Sequence, residues 1–303
     1  QKGEDIPMGK VYSIVENDTG EICGEIDDKA YNKITKQPTV KQLAVHQKYK
    51  ERQCEVECFK NTHREDGFIM FIFGEKCEKY DLSDLKPQTA TRLIYLATWL
   101  NYNDNCLKIG NNAMTREQLQ SLMLLEDSTF KRFLKEITEK GYLIKSGSQY
   151  CLNEANFKKG EFKADAPLTE KRFVRVYISY VRKLYEQTPQ SLHKHLGYVF
   201  KMIPYVNIKY NIICHNPLEE DESSIIPMTI GEFCDAIGYD KNQVSRLINI
   251  YDNITFEADG QRYVFCGYRW APKKANMRIY VNPLIFYAGN DFSRVEILKV
   301  LFA

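Results

Sequence analysis

Several absences narrow the class of this chain before any motif is read. No apolar run approaches the ~20 residues a helix needs to cross a bilayer. The longest runs, residues 67–74 and 93–100, are too short or too interrupted. The N-terminus shows no signal-peptide pattern, so a cytoplasmic protein without membrane contact is expected. Ten prolines in 303 residues, with 44% hydrophobic and 27% charged residues, exclude an unfolded, proline-rich composition and leave an ordinary globular chain able to bury cores. There is no phosphate-binding G-x-x-x-x-G-K-[ST] loop and no G-x-S-x-G nucleophile turn. No pair of carboxylates stands out as general acid and base. His193 and His195 flank Lys194 on a predicted helix, which is not a metal-site pattern. No enzymatic activity, catalytic residue, metal or cofactor is expected.

Cysteine is plentiful rather than scarce. The nine residues at 23, 54, 58, 77, 106, 151, 214, 234 and 266 are odd in number and scattered, so buried reduced thiols are expected. Cys54 and Cys58, with His63 nearby, are the one local cluster, and they lack a second pair at zinc-site spacing.

The most informative positive feature is a pattern that occurs twice, 114 residues apart. Thr115 is followed three residues later by Gln118, and Thr229 by Glu232, the capping-box arrangement that opens a helix. Leu119, Leu122 and Met123 match Phe233, Ala236 and Ile237. After a short turn, Phe130, Phe133, Leu134 and Ile137 match Val244, Leu247, Ile248 and Tyr251, each set forming one apolar helical stripe. Each copy then runs into a β-type segment and a closing Asn-x3-Phe-x2-Gly, at Asn153, Phe157 and Gly160 and at Asn282, Phe286 and Gly289. The offset has grown to 129, which lengthens the second hairpin region.

This order predicts an α+β, mainly helical fold: two tandem winged helix-turn-helix domains joined by a helix, with a small β-containing N-terminal extension. The boundaries are residues 1–80 for the extension, 81–160 and 189–303 for the two domains, and 161–188 for the linker helix. A hairpin is expected around the 17–20 turn, an exposed basic loop or arm over 36–52, and a strand over 68–73. Leading helices are expected over 88–100 and 193–206.

A net charge of +2 does not by itself indicate a nucleic-acid partner, but its distribution does. Residues 128–145 hold five Lys/Arg against two Glu, residues 158–183 eight against three acids, and residues 261–278 five against none. Acids gather at Glu219, Glu220, Asp221 and Glu222. The expected partner is double-stranded DNA. Off the apolar stripes, Thr129, Lys131, Arg132 and Lys135 in the first copy, and Lys241, Asn242, Gln243, Ser245, Arg246 and Asn249 in the second, are the candidate groove residues. Arg can grip guanine and Asn or Gln adenine, which gives the second helix the better base-reading chemistry. Lys145, Arg175, Arg262, Arg269, Lys273, Lys274 and Arg278 are candidates for phosphate or minor-groove contacts.

The leading helix, helix pair, hairpin and closing Asn-Pro-x-x-Phe-Tyr-Ala-Gly at residues 282–289 resemble the winged-helix replication proteins of Gram-positive plasmids and phages, the RepL-type group. The first copy resembles them through residues 93–100 and 152–160, with Glu154 in place of the Pro. MarR-like regulators share the architecture. The resemblance covers residues 81–160 and 189–290 and implies a mobile-element protein that binds an origin. A transcriptional regulator at an operator, or a winged-helix module that grips protein partners, are the alternatives. Self-association and contact with replication or transcription machinery are left open.

Overall fold

The computed structural model describes residues 11–16, 20–27, 47, 50, 67–74, 81–102, 104–160, 171–269, 271–289, 291 and 293–303. The chain divides into two compact units, Gln1–Cys58 and Phe59–Ala303. In the first, β1 (Val11–Val15) and β2 (Ile22–Asp27) pair antiparallel, and residues 17–19 of the turn expected between them lie outside the described residues. The Cys54, Cys58 and His63 cluster and nearly all of the basic stretch 36–52 lie outside the described residues.

The larger unit contains two similar runs of elements. The first is β3 (Phe68–Gly74), α1 (Pro87–Ala97), β4 (Lys108–Ile109), β5 (Asn112–Ala113), α2 (Arg116–Met123), α3 (Asp127–Glu139), the hairpin β6 (Leu143–Ser146) and β7 (Gln149–Leu152), and β8 (Phe157–Lys158). The second is β9 (Lys171–Tyr177), α4 (Ile178–Gln187), α5 (His193–Lys201), α6 (Ile230–Ile237), α7 (Val244–Asp252), the hairpins β10 (Thr255–Ala258) with β11 (Gln261–Val264) and β12 (Cys266–Arg269) with β13 (Arg278–Val281), and β14 (Phe286–Tyr287). The short helix α8 (Ser293–Leu298) follows.

The helices α2 and α6 begin for the same local reason. Thr115 Oγ1 accepts from the Gln118 amide at 3.2 Å while the Thr115 amide donates back to Gln118 Oε1 at 2.9 Å. Thr229 and Glu232 repeat the exchange at 3.0 and 2.7 Å. Each box occupies amides that a helix start leaves unpaired, worth about 1 kcal/mol. Both helices end on a left-handed residue, Leu124 at φ 52° and Gly238 at φ 67°. The helices that follow bury the apolar stripes: Phe130, Phe133 and Ile137 on α3, and Val244, Leu247, Ile248 and Tyr251 on α7.

The expected mainly helical pair of winged helices joined by a linker helix is overturned. The protein is a mixed α/β structure with several antiparallel sheets, among them a four-stranded sheet in the order β14-β9-β3-β8. Of the linker helix expected over 161–188, residues 161–170 lie outside the described residues, Lys171–Tyr177 is strand β9, and Ile178–Gln187 is helical as α4. The reason is tertiary. Seven registered positions of β9, from Tyr177 opposite Phe68 to Lys171 opposite Gly74, satisfy its backbone against β3, and Val174 and Val176 are buried while the flanking Arg172 and Arg175 are only half-buried. Pairing at this length outweighs a helical spacing of apolar side chains. The leading helix expected over 193–206 is likewise shorter, ending at Lys201 before a 3-10 turn, Ile203–Tyr205, that contains Pro204.

The sheet repeats the internal similarity of the sequence. Met70 and Phe71 pair with Lys158 and Phe157, just as Arg175 and Val176 pair with Tyr287 and Phe286. Met70 and Arg175 hold equivalent places and face each other across the β3–β9 pair, so an approximate two-fold passes through them. Two buried asparagines obey the same relation. Asn105 Nδ2 donates to the carbonyls of Leu152 and Phe157 at 2.9 and 2.7 Å, and Asn211 Nδ2 to those of Val281 and Phe286 at 3.0 and 2.9 Å. Both sit at φ 54°, a left-handed conformation that asparagine tolerates better than most residues.

The helices α1 and α5 cross at minimal distance. A Cβ added to Gly197 would lie 1.8 Å from the Pro87 carbonyl oxygen. Around the crossing Tyr95 stacks on Tyr185 with ring centroids 3.8 Å apart, and Thr91 Oγ1 donates to the His193 carbonyl at 2.7 Å. The cysteine expectation needs one correction: Cys106 and Cys151 form a disulfide, tying the segment before β4 to β7. In the second run the matching bridge partners are Ile212 and Tyr280. Cys214, Cys234 and Cys266 are buried thiols.

Gly197→Ala should drive α1 and α5 apart, at a cost of about 3 kcal/mol, the upper part of the range for overpacking a core. Thermal unfolding would show it as a lower Tm. A variant as stable as the parent would mean that the crossing is not tight.

Candidate functional site

The expected groove residues divide by what holds them. In the first copy Arg116 and Lys131 converge on Asp127, at 3.1 and 2.6 Å. Lys135 lies 3.7 Å from Glu139, one turn along α3. Arg132 is folded onto its own helix, donating from Nε to the Ser128 carbonyl and from Nη2 to Thr129 Oγ1, both at 3.3 Å. Lys131, Arg132 and Lys135 are exposed and Thr129 is half-buried. The acid Glu136 of the same helix serves another purpose. Its carboxylate accepts the Lys86 amide at 3.1 Å and Thr89 Oγ1 at 2.8 Å, capping α1 from outside because α1 has no side-chain cap of its own. On the following hairpin Lys145 is exposed, its ammonium 5.9 Å from the Tyr150 ring centre.

In the second copy Lys241, Asn242 and Gln243 form a 3-10 turn ahead of α7, rather than its first residues. Asp240 holds that turn by accepting from the Asn242 amide at 2.9 Å and Gln243 Nε2 at 3.3 Å. Lys241 is paired with Asp235 at 2.5 Å. Arg246 Nη1 reaches Gln243 Oε1 at 3.4 Å, a weak contact that orders the guanidinium without neutralising it. Ser245, Arg246 and Asn249 are exposed on the side of α7 opposite its buried stripe. This face therefore presents an exposed arginine, serine and asparagine.

The hairpin β10–β11 turns through Asp259 and Gly260, both at positive φ, the conformation that two-residue turns require. Arg262 stands on β11 and donates from Nε to Thr255 Oγ1 at 3.0 Å. The next hairpin carries the densest charge. Arg269 and Arg278 are direct cross-strand partners at the end of β12–β13 where the strands are connected, and Lys273 and Lys274 sit in the connection between them. Like charges placed opposite one another on a ladder are destabilising. Arg278 donates to the Asn276 carbonyl. Arg269, Lys273 and Lys274 are exposed, and among the described residues they form no ion pair. The connection packs beside α6, where the Gly231 Cβ position lies 3.4 Å from the Ala275 carbonyl oxygen, and the Ile230 amide donates to the Met277 carbonyl at 2.9 Å.

Arg175 has a different setting. It stands on β9, donates from Nη1 to the Gly289 carbonyl at 2.7 Å, and lies over the rings of Phe68 and Phe173 at 5.6 and 5.1 Å. It knits the sheet to the chain after β14. The histidines are also structural. His193 is buried with Nε2 beside the carbonyls of Thr188 and Tyr185, at 2.9 and 3.1 Å. Burial, then the nearby Lys194 charge, pushes the His195 pKa down to about 4. Among the described residues no group of three or more His, Cys, Asp or Glu is placed to hold a metal ion, and no helix is long and apolar enough to cross a membrane.

Sequence reasoning missed two features. The opposition of Arg269 and Arg278 depends on a strand pairing that nothing local announces. Asn105 and Asn211 did leave a signal, since each precedes an apolar pair, Cys106-Leu107 and Ile212-Ile213, at a constant offset of 106 from its counterpart. Compared with protein-family models, curated proteins and solved structures, the chain matches none.

The capping box of α6 predicts an acid dependence. The Thr229 amide and hydroxyl, and then His215, hold the Glu232 carboxyl below its ordinary value. A depressed folded-state pKa means that the stabilisation is complete above the ordinary carboxylate range and is lost as pH falls through the folded value. Glu232→Gln should therefore flatten the acid limb of the Tm-against-pH curve; an unchanged limb would show that the carboxylate contributes nothing there.

Proposed function

We propose that this chain is a sequence-specific double-stranded DNA-binding protein, acting in the cytoplasm by binding rather than catalysis. The observation that carries the reading is the β12–β13 end, where Arg269 and Arg278 face each other with Lys273 and Lys274 between them. Such a cluster is electrostatically costly alone and is relieved by an anion laid across it, and a phosphate backbone supplies a row of them. Beside it α7 offers Arg246, Asn249 and Ser245, with Asn242 and Gln243 on the preceding turn, all exposed. These are the side-chain types that pair bidentately with guanine and adenine edges in the major groove. Phosphate contacts from the hairpin would set register, and α7 would read bases. The first copy, whose Lys131 and Lys135 already have acidic neighbours, would mainly add backbone contacts.

The role at a plasmid or phage origin, as a replication initiator, is supported by the resemblance of residues 282–289 and of the repeated helix pair to RepL-type proteins. It is the part of the proposal that the sequence alone supports.

A salt-titrated binding assay on duplex fragments of the protein's own genetic element tests the reading. The parent should bind one fragment selectively. Arg246→Ala should cost about 1–3 kcal/mol on that fragment and little on the others. Lys273→Ala with Lys274→Ala should weaken all fragments alike and lower the log–log salt slope by about 1–2. No binding to any fragment at low salt would sink the proposal, and selective binding to a fragment without origin activity would move the role from initiator to operator-binding regulator.

A further inference from the structure

Behind β14 a cleft of about 270 Å3 is lined by Ile208 and Lys209, by Glu220 of the acidic loop, and by Tyr287, Asp291 and Arg294. That is near the lower bound, about 300 Å3, of small-molecule sites. A Cβ at Gly289 would fall 2.0 Å from the Ile208 carbonyl oxygen and 2.6 Å from Tyr287 Oη, so the two chain segments touch at the floor.

Three features of the lining point to an occupant. Tyr287 is fully buried, and its hydroxyl finds no hydrogen-bond partner among the described residues. Buried hydroxyls are normally satisfied, and one left over beside a cavity calls for a ligand atom. Burial, then the Asp291 charge, pushes its pKa up to about 12, so it stays a neutral group able to donate and accept. Next, Arg294 uses Nε on Asp291 at 3.3 Å, which leaves the paired Nη groups of its fork for an anion. Lys209 Nζ spends one donor on the Glu220 carbonyl at 3.0 Å and has two more. Both cations also lie near the Tyr210 ring, Arg294 at 5.4 Å and Lys209 at 5.8 Å from its centre. Finally, Glu220 is exposed and Asp291 is paired with Arg294, so both carboxylates work against a bare anion, whereas a ligand that also carries hydroxyl donors can offset that repulsion by hydrogen-bonding to Glu220.

We propose that this cleft binds a small sugar phosphate, free or as part of a mononucleotide: the phosphate between Arg294 and Lys209, the sugar hydroxyls on Glu220 and Tyr287. The site does not depend on the DNA reading, and its test contains no DNA.

The full chain is titrated calorimetrically with ribose 5-phosphate, adenosine 5′-monophosphate, inorganic phosphate and ribose. Ribose 5-phosphate and the nucleotide should bind saturably and more tightly than inorganic phosphate, with ribose alone not binding. Tighter binding of the nucleotide assigns the site to mononucleotides, and equal binding assigns it to sugar phosphates. Arg294→Gln should weaken binding about tenfold through loss of the charged fork. Tyr287→Phe should weaken it about fivefold while leaving Tm equal or higher, because the hydroxyl it removes has no partner among the described residues. No saturable binding of either phosphate ester by the folded parent, or binding untouched by both variants, overturns the proposal and leaves the DNA reading where it stood.

Discussion

Two helices that pass with no room for a single extra methyl group set the geometry of the larger unit. At the crossing of α1 and α5, Gly197 lets the second run of elements approach the Pro87 carbonyl of the first. The stacked Tyr95 and Tyr185 rings, the bond from Thr91 to the His193 carbonyl, and Arg182 lying 3.7 Å over Trp99 all follow from that approach. Arg182 also donates to the Thr98 hydroxyl and carbonyl at 3.1 and 2.8 Å, and Tyr185 Oη to the Met123 carbonyl at 3.3 Å. Interiors are close-packed, so contacts of this kind fix a relative orientation instead of merely permitting one.

The four-stranded sheet closes the same arrangement from the other side. Each run contributes a long inner strand and a two-residue outer one, and the approximate two-fold through Met70 and Arg175 makes the halves equivalent. Equivalence in the backbone frees the side chains to differ. Where Met70 is simply buried, Arg175 spans the sheet to Gly289. Where the first run joins Cys106 to Cys151, the second sets Ile212 beside Tyr280. The asymmetry in charge has the same origin: one frame carries cations already matched by Asp127 and Glu139, the other carries cations on a hairpin end with no acid among residues 261–278.

Interactions within a turn or two were legible in the sequence. The Thr-x-x-Gln and Thr-x-x-Glu boxes form because both partners lie in the same helical turn, and the buried stripes of α3 and α7 follow from helical period alone. Residues 171–177 were misread because Phe173, Val174, Tyr177 and Ile178 also fit a helical stripe, and the choice between helix and strand was made by β3, about 100 residues away in the chain. Of the proposed DNA-facing residues the sequence found the members but not their groupings.

By itself, then, the sequence determined where α2 and α6 start, which faces α3 and α7 bury, and that the chain repeats. Each of these is set by neighbours within a few residues, where the backbone's own geometry fixes the contact. Only the tertiary structure decided that the two copies share a sheet, that Gly197 is a contact point and not a helix breaker, that Arg269 opposes Arg278, and that Tyr287 is buried with a cleft beside it. Those facts depend on pairs of segments far apart in the chain, whose meeting is fixed by packing and strand register, and neither of these is encoded in any local pattern.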